Sequence, residues 1–276
     1  MLPLLLKAAL PKLHPSGELP DLSRERHDVP IDARDVASYA SLCGFPRKDV
    51  LPLPYPHLLA FGLHLEIMAD GSFPFPAIGT VHLENSITQH RPIGLDEKLQ
   101  VTARPADLRP HAKGQVFDML TTVHARGELV WEETSTFLRR GASDGPGTGT
   151  TFPDAPAHGI EWKLPGDLGR KYAGVSGDHN PIHLYQLTAK AFGFPRQIAH
   201  GMWSLARCVG ALENRLPDVV TVAVAFKKPI LLPATVRFGA RESDDGWSFA
   251  LTDPKSGAPH LAGSITTPVE LGSNRH

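Results

Sequence analysis

Two side chains that can exchange protons lie close together in the segment 172–183, which reads Tyr-Ala-Gly-Val-Ser-Gly-Asp-His-Asn-Pro-Ile-His. They are Asp178 and His183. A helix is predicted to begin between them, because Asn180 is a favoured N-cap and Pro181 is tolerated at a first helical position. The positive end of that helix favours a charged Asp178 and a neutral His183. Such a pair is suited to handling one water molecule.

A second segment, Ala199-His200-Gly201-Met202, is predicted to supply a backbone hydrogen-bond donor. It begins a predicted helix that ends at Pro217. The apolar residues of this helix recur with helical spacing, at Met202, Leu205, Ala206, Val209, Leu212 and Leu216. The N–H of Gly201 is therefore one of the donors that a helix N-terminus leaves unpaired. A ligand carbonyl can approach a glycine closely. Such a donor can stabilise the negative charge that develops on a carbonyl oxygen during a reaction.

The elements that position these residues are predicted to be helices followed by strands. Strand-like runs lie near 78–89, 98–104, 114–124 and 128–138, and again at 219–226, 234–241, 246–252 and 260–266. Consecutive strands after a helix indicate an α+β fold with two antiparallel sheets, each wrapped round a long helix, because parallel strands need a long crossover. The short helix after Asn180 is predicted to run to Phe192 and to end at Gly193.

The chain is predicted to contain two related halves. Tyr39-Ala-Ser-Leu-Cys-Gly44 resembles Tyr172-Ala-Gly-Val-Ser-Gly177, and Arg91-Pro92-Ile93 resembles Lys228-Pro229-Ile230. Residues 141–158 are rich in Gly, Pro, Ser and Thr, as is typical of a linker. We therefore predict an N-terminal domain at 1–140, a linker at 141–158 and a catalytic domain at 159–276. The first half has no Asp or His where the second has Asp178 and His183, which predicts one site per chain.

Composition excludes several classes of protein. The 28 Lys and Arg residues nearly balance the 29 Asp and Glu residues, so we expect neither nucleic acid nor a membrane as a partner. The start, Met1-Leu-Pro-Leu-Leu-Leu-Lys7, lacks the basic region of a signal peptide and is expected to form an N-terminal arm. Cys43 and Cys208 are far apart without metal-type spacing, which suits a reducing compartment and predicts a cytoplasmic protein.

The motifs Gly-Asp-His-Asn-Pro-Ile-His at 177–183 and Ile-Ala-His-Gly-Met at 198–202 resemble the signature of the MaoC-like, or (R)-specific enoyl-CoA hydratase, family. The resemblance is specific over about 172–205. It implies the hotdog fold, and the duplicated organisation resembles the double-hotdog members. It also implies that Asp178 and His183 are the catalytic pair, that Gly201 is the oxyanion donor and that Asn180 is the motif asparagine.

This resemblance predicts hydration of trans-2-enoyl thioesters to (R)-3-hydroxyacyl thioesters, or the reverse dehydration. The substrate would be carried on coenzyme A or acyl carrier protein, with no metal or redox cofactor, and two double-hotdog chains could pair as a homodimer. Asn180, Tyr172 and His200 are candidates for substrate contact, although capping alone would explain Asn180 and a core position would explain Tyr172. A histidine-based metal site is disfavoured because His179, His183 and His200 lack an accompanying ligand set of recognisable spacing.

Two alternatives remain open at this stage. The first is a hotdog acyl-CoA thioesterase, which shares the fold but releases a free thiol. The second is a non-catalytic subunit that only binds an acyl chain. The spacing of Asp178 from His183, and His200-Gly201 at a helix start, favour the hydratase.

Overall fold

The structure is a computed structural model that describes Lys7 and residues 17–77, 79–141, 145–147, 149–154, 156 and 158–267. Most of the predicted N-terminal arm and part of the predicted linker lie outside the described residues. Among the helices of the described part of the chain, none is both long enough and apolar enough to span a bilayer.

In the part of the chain that the structure describes, ten antiparallel strands form one continuous sheet. The first half contributes β1 (Arg24–Val29), β2 (Thr80–Gln89), β3 (Leu99–His111), β4 (Gly114–Ala125) and β5 (Glu128–Arg140). The second half contributes β6 (Ile160–Leu164), β7 (Val220–Phe226), β8 (Ala234–Ser243), β9 (Gly246–Thr252) and β10 (Pro259–Thr266). The order across the sheet is β1-β3-β4-β5-β2-β7-β10-β9-β8-β6, so the second half repeats the order of the first in reverse about the β2–β7 pair.

The two predicted sheets, one from each half, are joined edge to edge into this single sheet. Strand β2 pairs with β7 from Glu84 opposite Ala225 to Gln89 opposite Val220. The hydroxyl oxygens of Thr88 and Thr221 lie 2.9 Å apart across it. An unpaired strand edge leaves backbone N–H and C=O groups without partners, and the two halves satisfy each other's edges by pairing.

Six helices lie in the described residues. They are α1 (Ala33–Cys43), α2 (Pro56–Ala69), α3 (Leu168–Ser176), α4 (Pro181–Leu184), α5 (Gln186–Ala191) and α6 (Gly201–Leu212). Helix α2 lies against β3 and β4, and α6 lies against β9. These two are the long helices of the double hotdog. The α-helix α6 is shorter than the predicted stripe, because a 3₁₀ turn at Glu213–Arg215 replaces its last turn.

The repeated tyrosine motif forms the same structure twice. Helices α1 and α3 both end at a left-handed glycine, Gly44 with φ 77° and Gly177 with φ 74°. Only glycine adopts this conformation without strain, and in both helices its N–H bonds the carbonyl four residues earlier. The rings of Tyr39 and Tyr172 are buried with centroids 6.3 Å apart. The two motifs therefore meet in the core between the halves.

The short helix after Asn180 is broken, contrary to the prediction of one helix up to Phe192. It divides at Tyr185, which is extended with φ −140° and ψ 152°. In an unbroken helix the Tyr185 N–H would donate to the Pro181 carbonyl. Here the Thr188 hydroxyl donates to that carbonyl instead, at 2.6 Å. Arg170 donates to the Leu184 carbonyl at 2.9 Å. These side chains satisfy the end of α4, and the chain turns away to begin α5.

Candidate active site

The carboxylate of Asp178 is fixed by the turn that follows α3. Its backbone N–H donates to the Ser176 hydroxyl at 3.2 Å, and its Oδ1 accepts the N–H of Asn180 at 3.0 Å. The Asn180 side chain in turn caps α4 by accepting the N–H of Ile182. The Asp178 side chain keeps 26% of its surface exposed. It is therefore held rigidly while remaining reachable.

His183 lies in the first turn of α4 and is buried. Its Nδ1 lies 2.8 Å from the carbonyl oxygen of Ile198, so Nδ1 carries the proton and donates it. The other nitrogen, Nε2, is left with a lone pair. Burial lowers the pKa of His183 below its ordinary value, against the opposing effect of Asp178. A four-residue helix has little dipole, so burial rather than the helix keeps this imidazole neutral.

His200 occupies the N-cap position of α6 without a side-chain capping bond, and its ring stacks on that of His183. The two rings are stacked with centroids 3.7 Å apart. His200 Nε2 donates to the backbone carbonyl of Asp178 at 3.1 Å and lies 3.7 Å from its Oδ2. Burial lowers the pKa of His200 to about 3. Gly201 follows as the first residue of α6, where its N–H has no carbonyl within the helix.

Electrostatics favour the ionised form of Asp178. Burial raises the pKa of its carboxyl, but interaction with the His200 and His183 rings beside it lowers the pKa. The N–H of Asn180 and the charge of His57 act in the same direction. The net pKa lies below the ordinary value. Asp178 is thus a carboxylate beside a neutral His183, the state required of a pair that accepts a proton from water.

The predicted site residues converge to different degrees. The ligand-type atoms of Asp178, His183 and His200 all lie within 4.8 Å of one another, and Gly201 adjoins them in sequence. Asn180 serves as the helix cap. Tyr172 is buried at 2% exposure, and its ring centroid lies 4.8 Å from that of His200. Tyr172 therefore contacts this group through His200. Its burial fits a core position better than direct contact with substrate.

The same three side chains could hold a metal ion by their chemistry, since two imidazoles and a carboxylate are common ligands. Ring nitrogens bind a metal along lone pairs that lie in the ring plane. The His183 and His200 planes are inclined by only 25° and stacked, so their lone pairs do not converge on one point. The geometry therefore fits a hydrogen-bonded site better than a metal site.

A buried polar cluster in the first half was not predicted. His57 of α2 lies 2.8 Å from Oε1 of Glu133, and Asn85 donates to the same oxygen at 2.6 Å. His64 of α2 bonds the Thr121 hydroxyl at 2.8 Å. The signals in the sequence are two histidines on one apolar helix and a glutamate facing the core side of a strand. Each alone is typical of a hydrogen-bonded core residue, and a sequence separation of 76 between His57 and Glu133 leaves no local pattern that would reveal the pair.

Comparisons with known proteins agree with this geometry. A family profile described as the MaoC like domain matches residues 155–253. The 3-hydroxyacyl-thioester dehydratase X of Mycobacterium tuberculosis is 37% identical over 262 residues, which cover 93% of each chain. The chain belongs to the MaoC-like dehydratase family. A crystal structure of HtdX from the same organism superposes on this MaoC-like chain with a TM-score of 0.79 and 36% identity, covering 88% of this chain and 99% of that one.

The MaoC-like fold extends to more distant proteins. A MaoC-like dehydratase from Phytophthora capsici has a TM-score of 0.69 and 21% identity, covering 90% of this chain and 96% of its own. At that identity the likeness concerns the fold alone. The chain is a double-hotdog protein, and the MaoC-like profile covers the half that carries Asp178, His183 and Gly201.

Proposed function

We propose that the chain interconverts trans-2-enoyl thioesters and (R)-3-hydroxyacyl thioesters, with Asp178 and His183 as the catalytic pair and the Gly201 N–H as the oxyanion donor. Membership of the MaoC-like dehydratase family supports the reaction class. One observation carries the assignment of residues. The Asp178 carboxylate and the His183 imidazole lie within 4.8 Å of each other, beside the N-terminus of α6.

In the hydration direction, the oxygen of water adds to C3 and a proton is added to C2. Asp178 and the unprotonated Nε2 of His183 both accept hydrogen bonds, so together they can orient one water and take its proton. Negative charge moves to the thioester oxygen, where a fixed N–H dipole stabilises it. The proton that reaches C2 is one that water supplied, so the atoms balance. Dehydration reverses these steps.

The direct test is a series of trans-2-enoyl-CoAs of increasing chain length, followed by the loss of enoyl-thioester absorbance. A parallel assay with a thiol reagent separates the rival activity, because a thioesterase releases free thiol and a hydratase does not. Absorbance loss without thiol release supports the proposal. Thiol release would establish a thioesterase, and binding without turnover of any substrate would establish an acyl-binding subunit.

The carrier and the assembly belong to this proposal as well. We expect turnover of an acyl chain carried on coenzyme A or on acyl carrier protein, and comparing kcat/KM for one chain on both carriers identifies the preferred one. We expect no metal or redox cofactor, so dialysis against a chelator should leave kcat unchanged. A homodimer in the cytoplasm is our expectation for the native state, which light scattering and cell fractionation can test.

A further inference from the structure

Exposed apolar side chains are concentrated in the segment that follows the catalytic residues. Of the five large hydrophobic residues that are exposed in the described part of the chain, three lie between positions 185 and 192. They are Tyr185, Leu187 and Phe192, which are 56%, 82% and 41% exposed. Single exposed apolar residues are ordinary, whereas a group of them marks a surface that contacts another molecule.

These residues lie on and beside the outer side of α5. Leu187 and Lys190 are three residues apart, so they share one side of the helix. Both are exposed, whereas Ala189 is buried. Tyr185 and Phe192 occupy the positions just before and just after the helix. The segment therefore presents a surface to solvent that is both apolar and basic.

Three basic side chains border the apolar group. The guanidinium of Arg170 lies 5.0 Å from the centroid of the Tyr185 ring, and Lys190 lies on α5 itself. The first residue of α5 donates to the Pro195 carbonyl at 3.5 Å, which brings the exposed Arg196 close to the start of the helix. The α5 patch is defined as Arg170, Tyr185, Leu187, Lys190, Phe192 and Arg196.

The α5 patch is positively charged. Between positions 168 and 212 the only acidic residue is Asp178, although the whole chain has 29 Asp and Glu residues against 28 Lys and Arg residues. The described part of the chain forms no ion pair with Arg170, Lys190 or Arg196. Three positive charges without a carboxylate partner, beside apolar side chains, favour a negatively charged molecule as the partner.

The exposure of the patch indicates a protein rather than a small molecule. A site for a small ligand is a cleft that buries most of the ligand, so its lining residues are largely covered. Leu187 is instead 82% exposed on the outer side of a helix. Protein interfaces combine apolar and aromatic side chains with arginine on an open surface, as the α5 patch does.

A second copy of this chain does not complement the patch. In a twofold symmetric dimer the same surface meets itself, so Lys190 and Arg196 would approach their own counterparts. Like charges that are brought together across an interface oppose association. The complementary partner is therefore an acidic protein that has exposed apolar side chains of its own.

The patch adjoins the catalytic residues. The Thr188 hydroxyl of α5 donates to the Pro181 carbonyl at 2.6 Å, which ties α5 to α4, the helix that carries His183. The Asp178 side chain keeps 26% of its surface exposed, so the site is open to the protein surface. A protein bound to the patch is thus placed beside the segment that holds both catalytic residues.

We propose that the α5 patch is the docking surface for an acidic acyl carrier protein, which presents the enoyl or 3-hydroxyacyl chain to Asp178 and His183 on its flexible arm. This inference rests on the proposed function and selects the protein carrier over coenzyme A. Such a carrier combines an acidic surface with a thioester that can leave that surface and enter a neighbouring site.

The test compares one trans-2-octenoyl chain on the organism's own acyl carrier protein and on coenzyme A. Wild-type kcat/KM should be higher with the protein carrier, and it should fall as ionic strength rises because salt screens the attraction. Leu187→Ser and Lys190→Glu/Arg196→Glu should each lower the ratio of kcat/KM with the protein carrier to kcat/KM with coenzyme A by roughly tenfold.

Matched controls carry the same kinds of substitution outside the patch. Lys113→Glu/Lys255→Glu changes the net charge equally, and both lysines lie in turns between strands. Val219→Ser shortens another exposed apolar side chain just before β7. That position is at the opposite end of β7 from Phe226, the residue that adjoins Gly201. Neither control should change the ratio between the carriers.

A binding measurement separates this inference from the proposed function. Fluorescence anisotropy of a labelled octenoyl carrier protein requires no turnover, and its affinity should fall roughly tenfold in Leu187→Ser. No binding to the wild type, unchanged affinity in the patch variants, or equal losses of kcat/KM on both carriers would overturn the docking surface. A dimer that Leu187→Ser converts to monomers would assign the patch to a second copy and also overturn it. Binding that depends on the patch, without turnover on either carrier, would contradict the proposed function alone.

Discussion

At the residue scale, Asp178 and His183 are each held by a hydrogen bond to the backbone, Asp178 by the Asn180 N–H and His183 by the Ile198 carbonyl. We predict that Asp178→Asn and His183→Gln each lower kcat by roughly 10²–10⁴-fold, the range of a positioned acid or base. Circular dichroism and the melting temperature should remain near those of the wild type. His179→Gln is the matched control, because His179 is exposed and bonds only the Gly177 carbonyl. More than half the wild-type rate in either site variant would contradict the mechanism.

Gly201 allows the oxyanion donor to be tested separately. Gly201→Ala and Gly201→Pro both place a Cβ against the Phe226 ring, so they share that steric contact. Only proline also deletes the N–H, and proline is tolerated in the first turn of a helix. Gly201→Pro should therefore fall below Gly201→Ala by a further 10²–10³-fold, roughly the value of one oxyanion donor. Equal kcat values for the two folded variants would remove Gly201 from the mechanism.

Residue types and spacing were sufficient to predict the local part of the site. Asn180 is the cap and Asp178 lies beside His183, because these contacts connect residues within one short segment. The buried polar cluster of the first half could not be predicted in the same way. Its key contact joins a helix to a strand far along the chain, and only the folded sheet brings them together.

At the scale of elements, α3 sets the position of α4. Gly169 packs so closely on the first turn of α4 that a Cβ there would overlap the His183 carbonyl oxygen. We predict that Gly169→Ala displaces His183 and lowers kcat by about 10²-fold, because a misplacement near 1 Å can have that effect.

Gly174→Ala on the same helix is the control, since nothing lies within 4 Å of its Cβ position. Alanine is a better helix former than glycine, so this variant should keep full activity and melt at the same temperature or higher. The comparison of kcat and melting temperature separates displacement of His183 from general damage to α3. Equal kcat for Gly169→Ala and Gly174→Ala would show that the contact is not required.

Seven of the eight predicted strands match the structure within two residues at each end, whereas 98–104 ends well before β3, which runs to His111. For example, 219–226 corresponds to β7 at Val220–Phe226. Strands β1 and β6 escaped prediction because both are edge strands with exposed charged residues, as in Arg-Glu-Arg-His-Asp-Val. Exposed edge strands lack the hydrophobic alternation that reveals their neighbours. The break at Tyr185 was not predicted, because it depends on hydrogen bonds from the Thr188 and Arg170 side chains to backbone carbonyls. The spacing of apolar residues carries no information about such bonds.

At the scale of the whole molecule, the two halves share one sheet and one hydrophobic core. We predict that they unfold together, so that circular dichroism and tryptophan fluorescence report a single coincident thermal transition. Trp131 reports on the first half, and Trp162, Trp203 and Trp247 report on the second. Two resolved transitions would show that the halves are energetically independent.

The β2–β7 junction also bears on how such a protein can change over time. Two identical subunits joined about a twofold axis must accept every substitution twice, once on each side of the axis. A single chain whose strand order repeats in reverse about its centre has the same geometry without that constraint. One side can keep Asp178 and His183 while the other has neither an Asp nor a His at the matching positions. The covalent connection thus permits an asymmetric division of labour that a symmetric dimer of identical chains cannot reach.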